Sequence, residues 1–284
     1  MRDLVLWKTV ADLQKQIEPE DELIIVDQNI PPLVPPPERA GSQFRLIHQN
    51  KPSLTMARNL GIESAQHNHL VFLDDDIVPD PHLLASFRRV AEENPNCIIT
   101  GIVDQADKVE NIPTPGFINL KTGEIRTNFS RPYTGEVPFF PGGLALIPRN
   151  CLPKKPYFCP SFRGASQGEE IDFALRVRAA GNRMVADPRI RIFHLKVMEG
   201  GCRAPHFRKR FFLDQVYNQG LFFGRHGQLS SLLSCLRRLK GFIEFHTRNP
   251  GSRSHSLAML ARASVRLVFG LVSGIGQRFS LSGI

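Results

Sequence analysis

The chain has 284 residues, with 36 Lys and Arg against 27 Asp and Glu, a formal net charge of +9 and 42% hydrophobic residues. That is enough chain to bury a sizeable core in one large or two small domains, and the mixed composition excludes disordered, collagen-like and disulfide-scaffold classes. Five scattered cysteines (Cys97, Cys151, Cys159, Cys202 and Cys235), never spaced as CxxC, are expected to be reduced thiols in a reducing compartment and not zinc ligands.

The segment after Met1 is mixed polar and apolar, so no signal peptide is expected, and no stretch reaches the roughly 18 apolar residues a membrane span needs. Charge is unevenly spread: residues 203–284 hold 13 basic and 2 acidic side chains, whereas the first 202 are close to neutral. A tail of this kind suits nucleic acid, an anionic membrane or an acidic polymer, and charge alone does not choose among them.

In chain order, apolar positions Val5, Leu6, Val10, Leu13 and Ile17 have helical spacing, and Glu22–Asp27 is an apolar run bounded by acids, a buried strand. The proline-rich piece 31–41 is a loop. Phe44–His48 is a second strand, Ser53–Gln66 a helix and His69–Asp74 a third strand. Asp80 and Pro81 are expected to cap a helix running to Asn94, followed by a strand over Cys97–Val103. This strand–helix rhythm is that of a mostly parallel α/β sheet flanked by helices. Residues 104–136 lose the rhythm and form a long loop or a hairpin. Val137–Ile147 contains Gly142 and Gly143, where backbone must turn sharply or come close to something. Glu169–Ala180 is a helix closed by Gly181, and Arg183–Leu195 supplies one or two short strands. Helical stretches over 205–224, 229–246 and 256–270 complete the basic tail.

The most informative stretch is Leu70–Ile77, an apolar strand ending in Asp74, Asp75 and Asp76. Strand alternation sends Asp74 and Asp76 to one side and Asp75 to the other. Clustered carboxylates repel unless a cation sits among them, and hard oxygen ligands at the carboxyl end of a parallel strand favour magnesium or manganese with a diphosphate. The plainer alternative is a solvated acidic turn. The same letters also fit the first motif of haloacid-dehalogenase-type phosphatases, but that motif normally opens its domain, and here more than 70 residues precede it and no GDxxxD follows.

A second acidic cluster opens the helix at residue 169. Ser166 and Glu169 have capping-box spacing, so Glu169 is expected to cap the helix. Asp172 and Arg176 are spaced to pair. Glu170 has neither role, and an unpaired carboxylate at a helix start is a candidate general base.

Taken together, Ile24–Gln28, Met56–Gly61, Phe72–Asp76, Gly142–Ala145 and Gly168–Phe173 with Arg176 and Gly181, followed by Ala186–Pro188 and Phe193–His194, resemble in order and spacing the family 2 inverting glycosyltransferases of the GT-A fold. The resemblance covers about residues 4–200. It implies an enzyme, a hexosyl or deoxyhexosyl transferase, that moves a sugar from a UDP-, GDP- or dTDP-linked donor to an acceptor hydroxyl, on a glycan or lipid-linked acceptor, with Mn2+ or Mg2+. It also implies Asp27, Arg58, Asp74 and Asp75 on the donor, Asp74, Asp76 and His194 as metal ligands, and Glu170 as base where the family more often has Asp. Gly142, Gly143 and Glu169 would belong to the acceptor and donor loop. His194 has a plainer alternative, a hydrogen-bonded strand-end histidine.

The family opens on a central strand, whereas Met1–Leu4 begins at the helix that follows it. The expectation is a start upstream of Met1, or else a sheet without that strand and a non-catalytic, scaffold-like protein. Two regions are expected: a Rossmann-like GT-A domain over 1–202 and a basic amphipathic helical region over 203–284. The latter is expected to rest on an anionic membrane, giving a cytoplasmic protein peripheral to the inner face, or else to be a helical subdomain packed on the sheet with its charges solvated; nucleic acid is not expected to bind, since no recognised motif accompanies the charge.

Overall fold

The computed structural model describes residues 2–36, 43–104, 114–197, 208–227 and 253–282. Helix α1 (Arg2–Gln14) precedes strands β1 (Leu23–Asp27) and β2 (Phe44–His48), then α2 (Leu54–Ser64), β3 (His69–Leu73), β4 (Ile77–Pro79), α3 (Leu83–Glu93) and β5 (Cys97–Asp104). The arrhythmic stretch holds the hairpin β6 (Gly116–Asn119) and β7 (Glu124–Thr127), as expected, and then β8 (Gly135–Glu136). Strand β9 (Leu144–Pro148), α4 (Glu169–Ala179), β10 (Arg183–His194), α5 (Arg208–His226) and α6 (Arg253–Ser282) follow. The expected helix over 229–246 lies outside the described residues, as do Cys202 and Cys235. Cys97, Cys151 and Cys159 are buried free thiols.

Two caps differ from expectation. Asp80 does not cap α3: its Oδ1 accepts from His82 N at 2.9 Å and its carbonyl from Leu83 N at 3.0 Å, a turn that hands over to a helix starting at Leu83. Gly168, with φ +88°, takes the N-cap position of α4, a conformation in which a side chain would be strained. Ser53 caps α2 by accepting from Met56 N at 3.4 Å.

The main sheet runs β3–β9–β5–β10–β4, with β8 also on β10. β9 lies antiparallel between β3 and β5, while β5 and β10 pair in parallel. Aliphatic side chains of β5 and β9 (Ile98, Ile99, Leu144 and Ile147) are fully buried, as central strands covered on both faces require. β10 shifts register between Ala186 and Arg191, at the Asp187–Pro188 step where proline lacks a donor. Gly101 of β5 fits beneath that irregularity, since a Cβ there would lie 2.0 Å from the Ile190 carbonyl. Beyond it β10 resumes pairing and carries His194 to a position opposite Ile77 of β4.

Strands β1 and β2 pair in parallel as a separate two-stranded sheet. Each of β1 and β3 is paired along one side among the described strands, and a cavity of about 1680 Å³, lined in part by Ile24, Val26, Leu70 and Phe72, lies against both. α1 closes one wall through Leu6, Val10 and Leu13.

Candidate active site

Strand β3 ends at Leu73, and the next three residues turn back into β4. Because β4 pairs with the end of β10, the turn is held against His194. His194 Nε2 lies 3.0 Å from Asp76 Oδ1 and 3.6 Å from Asp74 Oδ2, and Asp76 Oδ2 accepts from Val197 N at 2.9 Å. One ligand atom from each of the three side chains falls within 4.8 Å of the others. Asp76 is buried and Asp74 is partly buried. Burial pushes the Asp74 carboxyl up, Arg58 and His194 pull it down, and Asp76 and Asp75 push it up again. Asp75 meets α1 through its backbone, its carbonyl accepting from Thr9 Oγ1 at 3.3 Å.

Gly142 and Gly143 bring backbone close to side chains of the site. A Cβ on Gly143 would stand 2.1 Å from Asp74 Oδ2, and one on Gly142 2.6 Å from Arg58 Nη2. The Gly143 carbonyl also accepts from Asp74 N at 3.3 Å. The loop is therefore moulded around Asp74 and Arg58.

Arg58, on α2, is held from three directions. Nη2 donates to the Gly142 carbonyl at 2.9 Å, the guanidinium lies 5.3 Å from the centre of the Phe158 ring, and Nη1 is ion-paired with Glu169. Phe158 is fixed in turn by Asn59, whose side-chain amide donates to its carbonyl and accepts from its N–H, both at 2.8 Å. Burial lowers the Arg58 pKa, while Asp74 and Glu170 favour its charge.

The expected role of Glu169 as a helix cap is not what the structure has: no side chain caps α4, and Glu169 is buried on Arg58 with its Oε2 lacking a hydrogen-bond partner. A buried guanidinium is the stronger claimant for a carboxylate than an exposed N–H.

Glu170 follows on the first turn of α4. Burial raises its pKa above the usual carboxylate range, backbone N–H groups at the helix start and Arg58 oppose the rise, and Asp74 adds to it. Glu170, Arg58 and Asp74 thus sense one another's charge, and the two acidic clusters, about a hundred residues apart in sequence, converge on one site.

Asp27 stands at the end of β1 and lines the cavity along with Arg58, Asp74, Asp75, Asp76 and His194. Its Oδ1 accepts from Asn29 N and Nδ2 at 2.9 and 2.6 Å, and its Oδ2 from Leu33 N at 2.7 Å with His48 Nδ1 at 3.3 Å. Burial pushes this carboxyl up, but the Asn29, Leu33 and His48 hydrogen bonds outweigh it and hold the carboxyl low. Asp27 anchors the loop that follows β1.

Sequence reasoning missed a junction behind Glu170. Asp172 pairs with Arg176 at 3.2 Å, as its spacing predicted, but it is fully buried and also meets Arg225 Nε at 2.5 Å and His226 Nε2 at 2.7 Å from α5. Arg225 Nη1 donates to Gln277 of α6 at 2.6 Å. The helices of the basic tail are therefore clamped to the helix that carries Glu169 and Glu170, and Leu221, Leu267 and Leu271 join the same core as the sheet. Only a pattern spanning fifty residues could have signalled this.

The mixed α/β sheet flanked by helices is that of a GT-A-type protein, with Asp74 and Asp76 following β3 and His194 ending β10. The sequence model "Glycosyl transferase family 2" matches residues 2–154, and the chain belongs to that family. No curated protein matches the chain. Among solved structures it is similar to GalNAc-T7 with UDP, GalNAc and Mn2+ (15% identity, TM-score 0.53, covering 82% of this chain and 51% of that one). It is also similar to the mannosyltransferase PcManGT from Pyrobaculum calidifontis with GDP-Man and Mn2+ (13%, 0.52, 94% and 84%) and to S. aureus TarS 1–349 with UDP-GlcNAc (12%, 0.51, 98% and 89%). The chain thus spans about half of the GalNAc-T7 chain. At these identities the likeness is one of fold.

Proposed function

We propose that this domain transfers a sugar, hexose or deoxyhexose, from a nucleoside-diphosphate donor to an acceptor hydroxyl on a glycan or lipid-linked molecule, with inversion and with the help of a divalent metal. The observation that carries this reading is the convergence of Asp74, Asp76 and His194 with Arg58 and Glu170. Two hard carboxylate oxygens and one imidazole nitrogen within 4.8 Å suit Mn2+ or Mg2+. When bound, such a metal supplies Lewis-acid stabilisation of the diphosphate leaving group.

The chain's own residues do the rest. Arg58, fixed by Glu169, Gly142 and Phe158, presents positive charge where charge grows on the departing diphosphate, and being fixed in advance it has little reorganisation to undergo. Glu170 takes the proton of the acceptor hydroxyl, and its raised pKa makes it a stronger base once ionised. Attack on the anomeric carbon from the face opposite the leaving group inverts it. Asp27, Asp75, Gly142 and Gly143 border the donor. The basic tail places the protein at the cytoplasmic face of an anionic membrane.

The test is transfer, or slow donor hydrolysis, with UDP-, GDP- and dTDP-sugars in the presence of Mn2+. Asp76→Asn and Glu170→Gln should each lower the rate by about 10²–10⁴ with the fold intact; full activity in either variant removes that residue from the mechanism. A second reading is a non-catalytic member of the family that keeps the fold. Calorimetry with UDP or GDP, with and without Mn2+, separates the two, since a scaffold that has lost its site shows no metal-dependent binding.

A further inference from the structure

Helix α6 is apolar on two faces. Its inner face meets α5 at backbone distance: a Cβ on Gly220 or Gly224 would lie 2.4 Å from the Leu267 or Leu271 carbonyl, and one on Gly270 or Gly274 would lie 2.2 or 2.3 Å from the Tyr217 or Leu221 carbonyl. This face of glycines, with Ala263, Leu267 and Leu271, is fully used by α5. The outer face carries Val265, Val268, Phe269, Val272 and Ile275, each at least 43% exposed. Their spacing of three and four residues makes one stripe along the helix, about 15 Å long between Val265 and Ile275 at the helical rise. A contiguous apolar stripe left outward in this way marks an interaction surface.

The charge of α6 says what kind of cover. Its 30 residues include Arg253, Arg262, Arg266 and Arg278 and no Asp or Glu. Arg262 is exposed and lies at the margin of the stripe by helical angle. A second copy of this chain would set like charge against like, with 13 basic and 2 acidic residues in each 203–284 segment. No described helix is long and apolar enough to cross a membrane, so the stripe is suited to lie along one.

We propose that the outer face of α6 docks on an anionic lipid bilayer, with Val265, Val268, Phe269, Val272 and Ile275 entering the headgroup–acyl boundary and Arg262 at its margin meeting lipid phosphates. The proposal deepens the membrane-peripheral part of the functional reading and rests on it, but not on sugar-transfer chemistry. Because Asp172 holds α5, and α5 holds α6, docking fixes the catalytic helix relative to the bilayer.

The test is co-sedimentation of the full chain with phosphatidylcholine vesicles, with and without phosphatidylglycerol. Binding should require the anionic lipid and weaken with salt. The double variant Phe269→Ser/Val272→Ser should partition more weakly by a factor on the order of a hundred, with its thermal midpoint and metal-dependent nucleotide binding unchanged. Equal partitioning of variant and parent, equal binding to neutral vesicles, or a dimer in vesicle-free solution that the double variant dissociates, would each overturn the proposal. Loss of nucleotide binding in the parent chain would instead count against sugar transfer and leave the vesicle result standing.

Discussion

Arg58 and Glu169, separated by more than a hundred residues, form a buried ion pair that joins α2 to the first turn of α4 across the site. Glu169 is buried and Arg58 keeps only an edge toward the cavity, so each largely neutralises the other's charge. Glu169→Ala should therefore destabilise the fold by about 3–5 kcal/mol, because it strands a buried guanidinium. Urea denaturation of variant and parent checks this, and a change within error would mean that Arg58 is compensated elsewhere.

Gly143 controls Asp74 by leaving it room. Gly143→Ala places a methyl group at a point 2.1 Å from Asp74 Oδ2, so the carboxylate must leave its present position. Mn2+ affinity should fall by about 10–100-fold, the range for disturbed support of a metal ligand. Calorimetric titration with Mn2+ measures it, and alanine at this position with parental affinity would show that Asp74 is not a ligand.

Asp172 makes stability depend on pH. Burial pushes its carboxyl up, but the His226 hydrogen bond and the charges of His226, Arg176 and Arg225 outweigh it and bring the pKa to about 2 from 3.8. A carboxyl with a lowered folded-state pKa binds its proton more readily in the unfolded chain. Its contribution is therefore complete above pH 3.8 and is lost as pH falls through about 2. Asp172→Asn should destabilise the protein at neutral pH and flatten this acid limb. An acid limb identical to the parent's would exclude Asp172 as its source.

The interrupted sheet predicts uneven protection. β1 and β3 are each paired along one side, whereas β5 and β10 are paired along both. Hydrogen exchange should be faster in Ile24–Val26 and Leu70–Phe72 than in Ile98–Thr100 and Met184–Ala186. Uniform slow exchange would mean that the gap between β1 and β3 closes in solution.

Glu170 as a base implies a rate that rises with pH. Burial raises its pKa above 4.5, so transfer should increase as the carboxyl ionises, with a midpoint above that value. The limb should vanish in Glu170→Gln; its persistence would assign it to another group.

Most strands and helices were legible because their signals are local: the apolar runs of β1, β3 and β5 and the closing Gly181 all act within a few residues. The acidic residues 74–76 were legible as a cluster for the same reason, although β3 ends at Leu73 and a turn, not strand alternation, brings Asp74 and Asp76 to His194. Glu169 was misjudged because its capping spacing is also local, and the competing interaction with Arg58 lies on another helix. Asp172 was half understood: Arg176 is four residues away, whereas Arg225 and His226 are more than fifty away.

By itself the sequence determined the alternation of strands and helices, the carboxylate cluster at the tip of β3 and the sign of charge on the tail, because these follow from side-chain chemistry and backbone periodicity. Tertiary structure alone decided which charges are buried together, how closely Gly143 approaches Asp74, and which face of α6 is left outward. Those outcomes depend on packing between elements distant in the chain, where a shift of an ångström or two separates a contact from a clash.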